Sequence, residues 1–432
     1  MGLGGAAQQG GAAQQPAVTV TAATPTHSTT IALTSDEQRV VVVNREANSV
    51  SIIRVRDNNG NDIANKIVEI GVGEEPRCVA VHPNDEVAYV TNGISATVSV
   101  VDLVRRRVVR NVPTGTEPRG CALTPNGTLL YVANHTEGTV SIFFTGNPLD
   151  PTPAGTVEVG RNPTALAITN DGDDDDADET VFVTQIFAEL DPNFVDPFTV
   201  GGEMRDLGKR GVVQAFPTVS ANPPVSKITL SPIADSGFSA SRSNFCPSTH
   251  PAHTTDQVFC PDPTAAPTDS VNANNPQGMF PNQLLSALIR GNRLYLPNIA
   301  AMPEPPEKFD VNVQAVVGVV DTTALTEVVA ETVNLNEQID VETAAPPPSL
   351  DRTFGNDIVA IDANLAGDTF LIVSRGGNQV SAPSSMRMAN STSWTPPKRE
   401  WTAASRPATS RAASPCARMG HARTPTTRPT SR

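Results

Sequence analysis

Pro76-Arg77-Cys78-Val79-Ala80-Val81, then Tyr89-Val90-Thr91-Asn92, then Thr97-Val98-Ser99-Val100-Val101-Asp102 is the stretch that decides the fold, because it returns 42 residues later. The second copy runs Pro118-Arg119-Gly120-Cys121-Ala122-Leu123, Tyr131-Val132-Ala133-Asn134, Thr139-Val140-Ser141-Ile142. Each copy alternates short apolar runs with turn residues such as His82-Pro83-Asn84-Asp85 and Thr124-Pro125-Asn126-Gly127. Adding Val108 to Val112 makes four strands of about five residues, an antiparallel meander. A unit of roughly 40–45 residues built this way is the signature of a propeller blade. The predicted fold class is therefore all-β, a β-propeller of four-stranded antiparallel blades.

The same grammar extends both ways and predicts six blades, near residues 27–75, 76–117, 118–162, 163–234, 277–350 and 351–380, the last incomplete. Two insertions, 186–210 and 235–280, interrupt the period. Loops of that length in a compact fold carry function or lack order, so specificity is expected there. Residues 1–26, rich in Gly, Ala and Gln, read as a flexible lead with no leader peptide visible. After Val380 the aliphatic pattern stops. Residues 381–432 carry nine Lys or Arg against Glu400 alone and cannot bury a core, so they are expected to be a disordered basic tail, either genuine or an out-of-frame translation.

The whole chain has a formal charge of −14, so residues 1–380 carry −22 once the tail's +8 is set aside. So acidic a body repels phosphate backbones, which argues against nucleic acid as a partner. No apolar run approaches the ~20 residues of a membrane-spanning helix.

With those residues in hand, the chain resembles the YVTN-repeat β-propellers of bacteria and archaea, named for the tetrapeptide at Tyr89 to Asn92. The shared blade pattern is Gly-x-x-Pro, an apolar strand, a polar turn, Tyr-Val-x-Asn and a Thr-Val-Ser-like strand. It covers about residues 27–380, with drift at Val41 to Asn44, Val181 to Thr184 and Tyr295 to Asn298. The resemblance implies a periplasmic or extracellular location and a seven-bladed ring. Six units therefore suggest a fragment of a longer protein. Fold does not imply function, and activity has to be argued from the site.

Candidate site residues fall into three groups. Glu75, Arg77, Glu117, Arg119, His135 and Arg161 sit in blade-to-blade turns and second-to-third-strand loops, which share a face in propellers. They are expected to line a ligand-binding face, against the plainer reading of solvated surface. Asp171, Asp173 and Asp175 alternate like the start of a calcium loop, but the sixth-position Gly and twelfth-position Glu are missing, so a solvated acidic turn competes with calcium. Cys246-Pro247 and Cys260-Pro261 read as a disulfide in a Pro-rich loop, ahead of a zinc set with His250 and His253. Cys78 and Cys121 read as buried free thiols. The Asn126 and Asn134 glycosylation sequons are explained as readily by turn chemistry.

No Gly-x-Ser-x-Gly elbow, phosphate-cradling loop or Cys-x-x-Cys-His occurs. No catalytic residue and no cofactor other than calcium is expected. The first functional expectation is a non-catalytic extracytoplasmic scaffold binding a protein or small-molecule ligand through its loop face. The alternatives are the propeller portion of a periplasmic redox enzyme whose c-type haem domain lies elsewhere, and a lactonase-like enzyme.

Overall fold

The computed structural model describes residues 24–57, 59–173, 175–194, 208–218, 223–233, 244–245, 259–260, 278–301, 313–336, 355–364, 367–376 and 379–381. Blades 1 to 3 are four-stranded antiparallel meanders. Blade 1 is Ile31–Leu33, Arg39–Asn44, Ser49–Arg56 and Asp62–Gly71; blade 2 is Pro76–Val81, Val87–Asn92, Thr97–Asp102 and Arg107–Pro113. Blade 3 is Pro118–Leu123, Leu129–Asn134, Thr139–Phe144 and Thr152–Glu158. Blade 4 joins Pro163–Ile168, Thr180–Gln185, Lys209–Pro217 and Ser226–Leu230. Blade 5 has Leu288–Arg290, Arg293–Ala301 and Val313–Asp321, with Thr326–Glu327 and Val333–Asn334 both pairing its third strand. In blade 6, Ile358–Ala363, Phe370–Ser374 and Gln379–Ser381 are paired. The all-β propeller architecture read from the repeat is the observed one. The tail 381–432, beyond its first residue, and the lead up to residue 23 lie outside the described residues.

Each letter of the Tyr-Val-Thr-Asn motif has a physical task. Tyr89 is fully buried and donates its hydroxyl to the Pro148 carbonyl of blade 3 at 2.8 Å. Tyr131 does the same one blade on, to Thr218 at 3.4 Å, with its ring 6.0 Å from Phe216. Val90 fills the core between blades 1 and 2. Thr91 Oγ1 accepts from Cys78 N–H at 3.1 Å and donates to the Arg119 carbonyl at 2.7 Å, tying two innermost strands together. Thr184 repeats this with Ala165 and Leu284.

Asn92 works within its own blade. Its Nδ2 donates to Thr97 Oγ1 at 3.1 Å and Ser99 Oγ at 2.9 Å, which is why Thr-Val-Ser follows in the third strand. Asn134 with Thr139 and Ser141, and Asn44 with Ser49 and Ser51, repeat the ladder. This amide also explains the Gly of Gly-x-x-Pro. A Cβ on Gly73 would lie 2.7 Å from Asn92 Cγ, one on Gly115 2.6 Å from Asn134 Cγ, and one on Gly160 2.6 Å from Gln185 Nε2. Only a residue without a side chain leaves room for the amide.

At the opposite end of the blades, the first turns lock neighbour to neighbour. The Asp85 carboxylate accepts from Ser35 N–H and Asp36 N–H at 2.6 and 2.9 Å. His82 Nε2 reaches the Gly127 carbonyl at 3.2 Å. Asp176 accepts from Asn126 N–H at 2.9 Å, from Thr128 N–H at 3.3 Å and from the Thr128 hydroxyl. Asp176 belongs to the acidic run, yet it is buried and staples blade 4 to blade 3.

One element departs from the sequence expectation. Blade 1 was expected to begin at residue 27, but Thr26–His27 pairs antiparallel with Ile168 and Ala167 on the inner edge of blade 4. Ser28 and Thr29 then bond Leu166 and Val79 of blades 4 and 2. The segment crosses the axis before entering blade 1. Too short for a periodic signal, it is held by unpaired backbone groups of the innermost strands.

Two stability outcomes follow. Asp176→Ala strands two backbone donors and a hydroxyl in a buried turn and should cost about 3 kcal/mol in urea unfolding, whereas exposed Asp173→Ala should stay within about 0.5 kcal/mol. Gly73→Ala displaces the Asn92 side chain and should cost about 2 kcal/mol by the same measurement, and Asn92→Gly, which removes the Cβ that the new methyl would also meet, should make that substitution tolerable.

Candidate functional site

The turns that enter blades 2, 3, 4 and 6 place the residue before the first strand in the left-handed region. Glu75 and Glu117 both have φ of 57°, Asn162 49° and Asp357 53°. That conformation turns the carbonyl toward the second-to-third-strand loop, where Glu75 accepts from Gly93, Glu117 from His135, Asn162 from Ile186 and Asp357 from Arg375. The same bond repeated in four blades brings these turns and loops to one face, which carries Glu75, Arg77, Glu117, Arg119, His135 and Arg161.

On that face the arginines after Pro76 and Pro118 point back onto the preceding glutamates. Arg77 Nη2 meets Glu75 Oε1 at 2.8 Å, and Arg45 of blade 1 binds the same oxygen. Arg119 Nε and Nη2 meet Glu117 Oε1 at 3.0 and 2.7 Å, and Thr136 donates to its other oxygen at 2.7 Å. Arg77 is half-buried, and its Nε is buried without a hydrogen-bond partner among the described residues. Burial, followed by the fields of Arg45 and Arg119, lowers its pKa against the opposing pull of Glu75. Arg161 is exposed on the neighbouring turn.

His135 is enclosed. Its Nδ1 donates to the Pro163 carbonyl at 3.1 Å, and Asn162 Nδ2 donates to its Nε2 at 3.3 Å. Burial, then the Arg119 charge, pushes its pKa down, so the ring is held neutral in one tautomer. Neither nitrogen is free to move a proton.

The acidic turn brings two sets of three carboxylates within 4.8 Å, Asp171 with Asp178 and Glu179, and Asp173 with Asp175 and Asp178. Asp171, Asp173 and Asp175 thus fall in different sets. Each already accepts a backbone N–H two residues on, from Asp173, Asp175 and Ala177. These successive Asx turns explain the alternation without an ion. Glu179 is buried, and desolvation, joined by Asp171 and Asp178, raises its pKa. Cys246, His250 and His253 lie outside the described residues, so the disulfide and zinc readings do too. Cys260 is paired through its backbone with Asn244.

The sequence did not reveal a second cluster at the other mouth of the axis. Arg290 ends the innermost strand of blade 5 and is nearly buried. It donates to the Ala363 carbonyl at 2.9 Å and pairs at 3.2 Å with Asp362, whose side chain is 66% exposed. His27 of the crossing segment sits in their field; burial lowers its pKa, Asp362 opposes and Arg290 adds to the lowering. Arg290 follows no Pro and His27 lies outside any repeat, so no motif marked either. Outside the axis, a groove of about 180 Å³ at the 186–210 insertion is edged by Glu189, Asp191, Arg210 and Lys227.

Comparison with known proteins supports the architecture. A family model described as "Lactonase, 7-bladed beta-propeller" matches residues 8–108. No curated protein matches the chain. Among solved structures, Kuenenia stuttgartiensis hydrazine synthase is similar with a TM-score of 0.53 and 16% identity, over 86% of this chain and 80% of that one. A periplasmic gluconolactonase of Pseudomonas aeruginosa gives 0.47 and 13%, over 83% and 82%. The first likeness is one of fold. No helix among the described residues is long and apolar enough to cross a membrane.

The Glu117 pair yields a pH dependence. Burial alone would raise the Glu117 carboxyl, but hydrogen bonds from Thr136 and Arg119 and the Arg119 charge outweigh it and hold the pKa below the ordinary 4.5. A depressed folded pKa adds stability that is complete above the ordinary value and disappears as pH falls through the folded one. Wild type should therefore exceed Glu117→Gln by up to about 1 kcal/mol at pH 7 in low salt, with the gap closing below pH ~4 in urea melts.

Proposed function

We propose that the protein is a non-catalytic propeller scaffold acting outside the cytoplasm, which binds a carboxylate-bearing ligand on the face formed by Glu75, Arg77, Glu117, Arg119, His135 and Arg161. The carrying observation is Arg77: a half-buried guanidinium with a buried, unpartnered Nε, repelled by Arg45 and Arg119 and shared with only one carboxylate. Arg45, Arg77, Arg119 and Arg161 bring guanidinium groups to this face beside Glu75 and Glu117, and a guanidinium is suited to grip a carboxylate. The rest of the face fits recognition better than turnover. His135 is locked neutral at both nitrogens, and Glu75 and Glu117 are held as carboxylates by their arginines. The Tyr89 to Asn92 motif, with its Asn92 to Ser99 ladder, supports placing the chain among the YVTN-repeat propellers, and the extracytoplasmic location rests on that placement.

A lactonase-like enzyme is the second reading, favoured by the family model over residues 8–108. Its polar axial cluster would be His27, Arg290 and Asp362. Isothermal titration with citrate as the probe, together with hydrolysis of glucono-1,5-lactone, separates the two. Binding should occur in low salt and weaken at least tenfold in Arg77→Ala/Arg119→Ala, with lactone hydrolysis at the buffer rate. Equal citrate binding by the double variant, or none by wild type, overturns the scaffold reading. Lactone turnover abolished by Asp362→Asn would establish the second.

A further inference from the structure

Cys78 and Cys121 occupy the innermost strands of blades 2 and 3, but one register position apart. Cys78 pairs with Thr91 and Val79 with Val90, whereas Cys121 pairs with Val132, the equivalent of Val90. Side chains alternate along a strand, so a one-residue offset between stacked blades turns the two sulfurs toward each other. The residue of blade 3 equivalent to Cys78 is Gly120, where a Cβ would meet Ser28 Oγ at 2.7 Å. Blade 3 therefore lies against blade 4 and the crossing segment at that level.

The two sulfurs are 2.6 Å apart, inside one apolar cluster with Ala80, Tyr89, Leu123 and Val132. Cys121 N–H donates to Cys78 Sγ at 3.1 Å, and Cys78 Sγ reaches the Cys121 carbonyl at 3.2 Å. Both residues are almost completely buried. Among the described residues, the polar groups at the Cys78 sulfur are the Ser28 side chain, the Thr29 backbone and Cys121 itself.

We propose that Cys78 and Cys121 are joined as a disulfide between blades 2 and 3 when the chain folds in an oxidising compartment. The oxidant is a disulfide, small-molecule or protein. Cys78 thiolate attacks one of its sulfurs, forming a mixed disulfide and releasing one thiolate; Cys121 thiolate then attacks Cys78 Sγ and releases the second. One S–S bond forms as another breaks, two electrons pass to the oxidant, and the two cysteine protons end on its thiols. With both sulfurs enclosed in the finished ring, exchange precedes docking of blade 3 on blade 2. The bond closes a loop of more than forty residues and fixes two innermost strands directly below Arg77 and Arg119.

The test uses the full chain with Cys246→Ser, Cys260→Ser and Cys416→Ser, refolded from guanidinium in a glutathione redox buffer, and wild type handled alongside. Unreduced digests of both should contain one peptide pair linking Cys78 to Cys121, lighter by two hydrogens than the separate thiols. A phosphine reductant should lower the melting temperature by roughly 5 °C, and Cys121→Ala should abolish that dependence. If N-ethylmaleimide labels both cysteines in denaturant after oxidative refolding, or if the reductant leaves the melting temperature unchanged, the proposal is overturned.

Discussion

The primary amide of Asn92 and its equivalents is the interaction on which the propeller depends. It sits where the second strand ends, the third begins and the preceding inter-blade turn passes overhead. Its Nδ2 ties the second strand to Thr97 and Ser99, and Ser99 Oγ goes on to Asn111 of the fourth strand at 2.7 Å. One side chain thereby reads the register of three strands, a quantity that apolar packing alone specifies weakly where both faces of a sheet are covered. Its bulk also demands the glycine overhead, which settles the path of the chain into the next blade. Register within a blade and connection between blades are two consequences of one buried polar group.

The charged face follows from that geometry. With the glycine pressed on the amide, the turn reaches the first strand through a left-handed residue, Glu75 or Glu117, and then Pro. The backbone so formed carries the glutamate carboxylate and the following arginine side by side, and repetition puts one such pair in each of two adjacent blades. Drift is equally informative. Blade 4 replaces Asn by Gln185, whose longer amide reaches Val159 instead, and its turn carries Asn162 and Thr164 in place of the Glu and Arg. The Glu–Arg pairs occur in blades 2 and 3, both of which keep the full ladder, while blade 1 keeps the ladder without the pair.

Legibility in the sequence tracked periodicity. Strand order, the polar turns and the pairs Glu75 with Arg77 and Glu117 with Arg119 recur at a fixed spacing, and recurrence is what distinguishes a signal from composition. Features held by single contacts across long separations were not readable. Thr26–His27 has no pattern of its own, and its place beside blade 4 depends on free backbone groups supplied by Leu166 and Ala167. Arg290 meets Asp362 only because the innermost strands of blades 5 and 6 converge on the axis. Within the acidic run, composition suggested solvent or calcium for every member, yet Asp176 points inward to the turn of blade 3 while Asp173 and Asp175 cap their own backbone. Identical residue types a few positions apart were sorted by the neighbouring blade.

The same convergence sets the chemistry available at the axis. Innermost strands approach so closely that Gly120 has no room for a methyl and two cysteine sulfurs touch across the gap. Along the axis, the described residues of blades 2 and 3 leave space at the mouths, where the strands begin and end, and not between their innermost strands. At one mouth, Arg77 and Arg119 are each held by the glutamate of their own turn, and Arg45 of blade 1 ties the first of these pairs to the neighbouring blade. At the other, Arg290 and Asp362 belong to different blades, and their distance changes with any rocking of blade 6 against blade 5. A guanidinium held by a carboxylate of its own turn keeps a fixed direction, whereas the direction of Arg290 is shared with the backbone of a second blade.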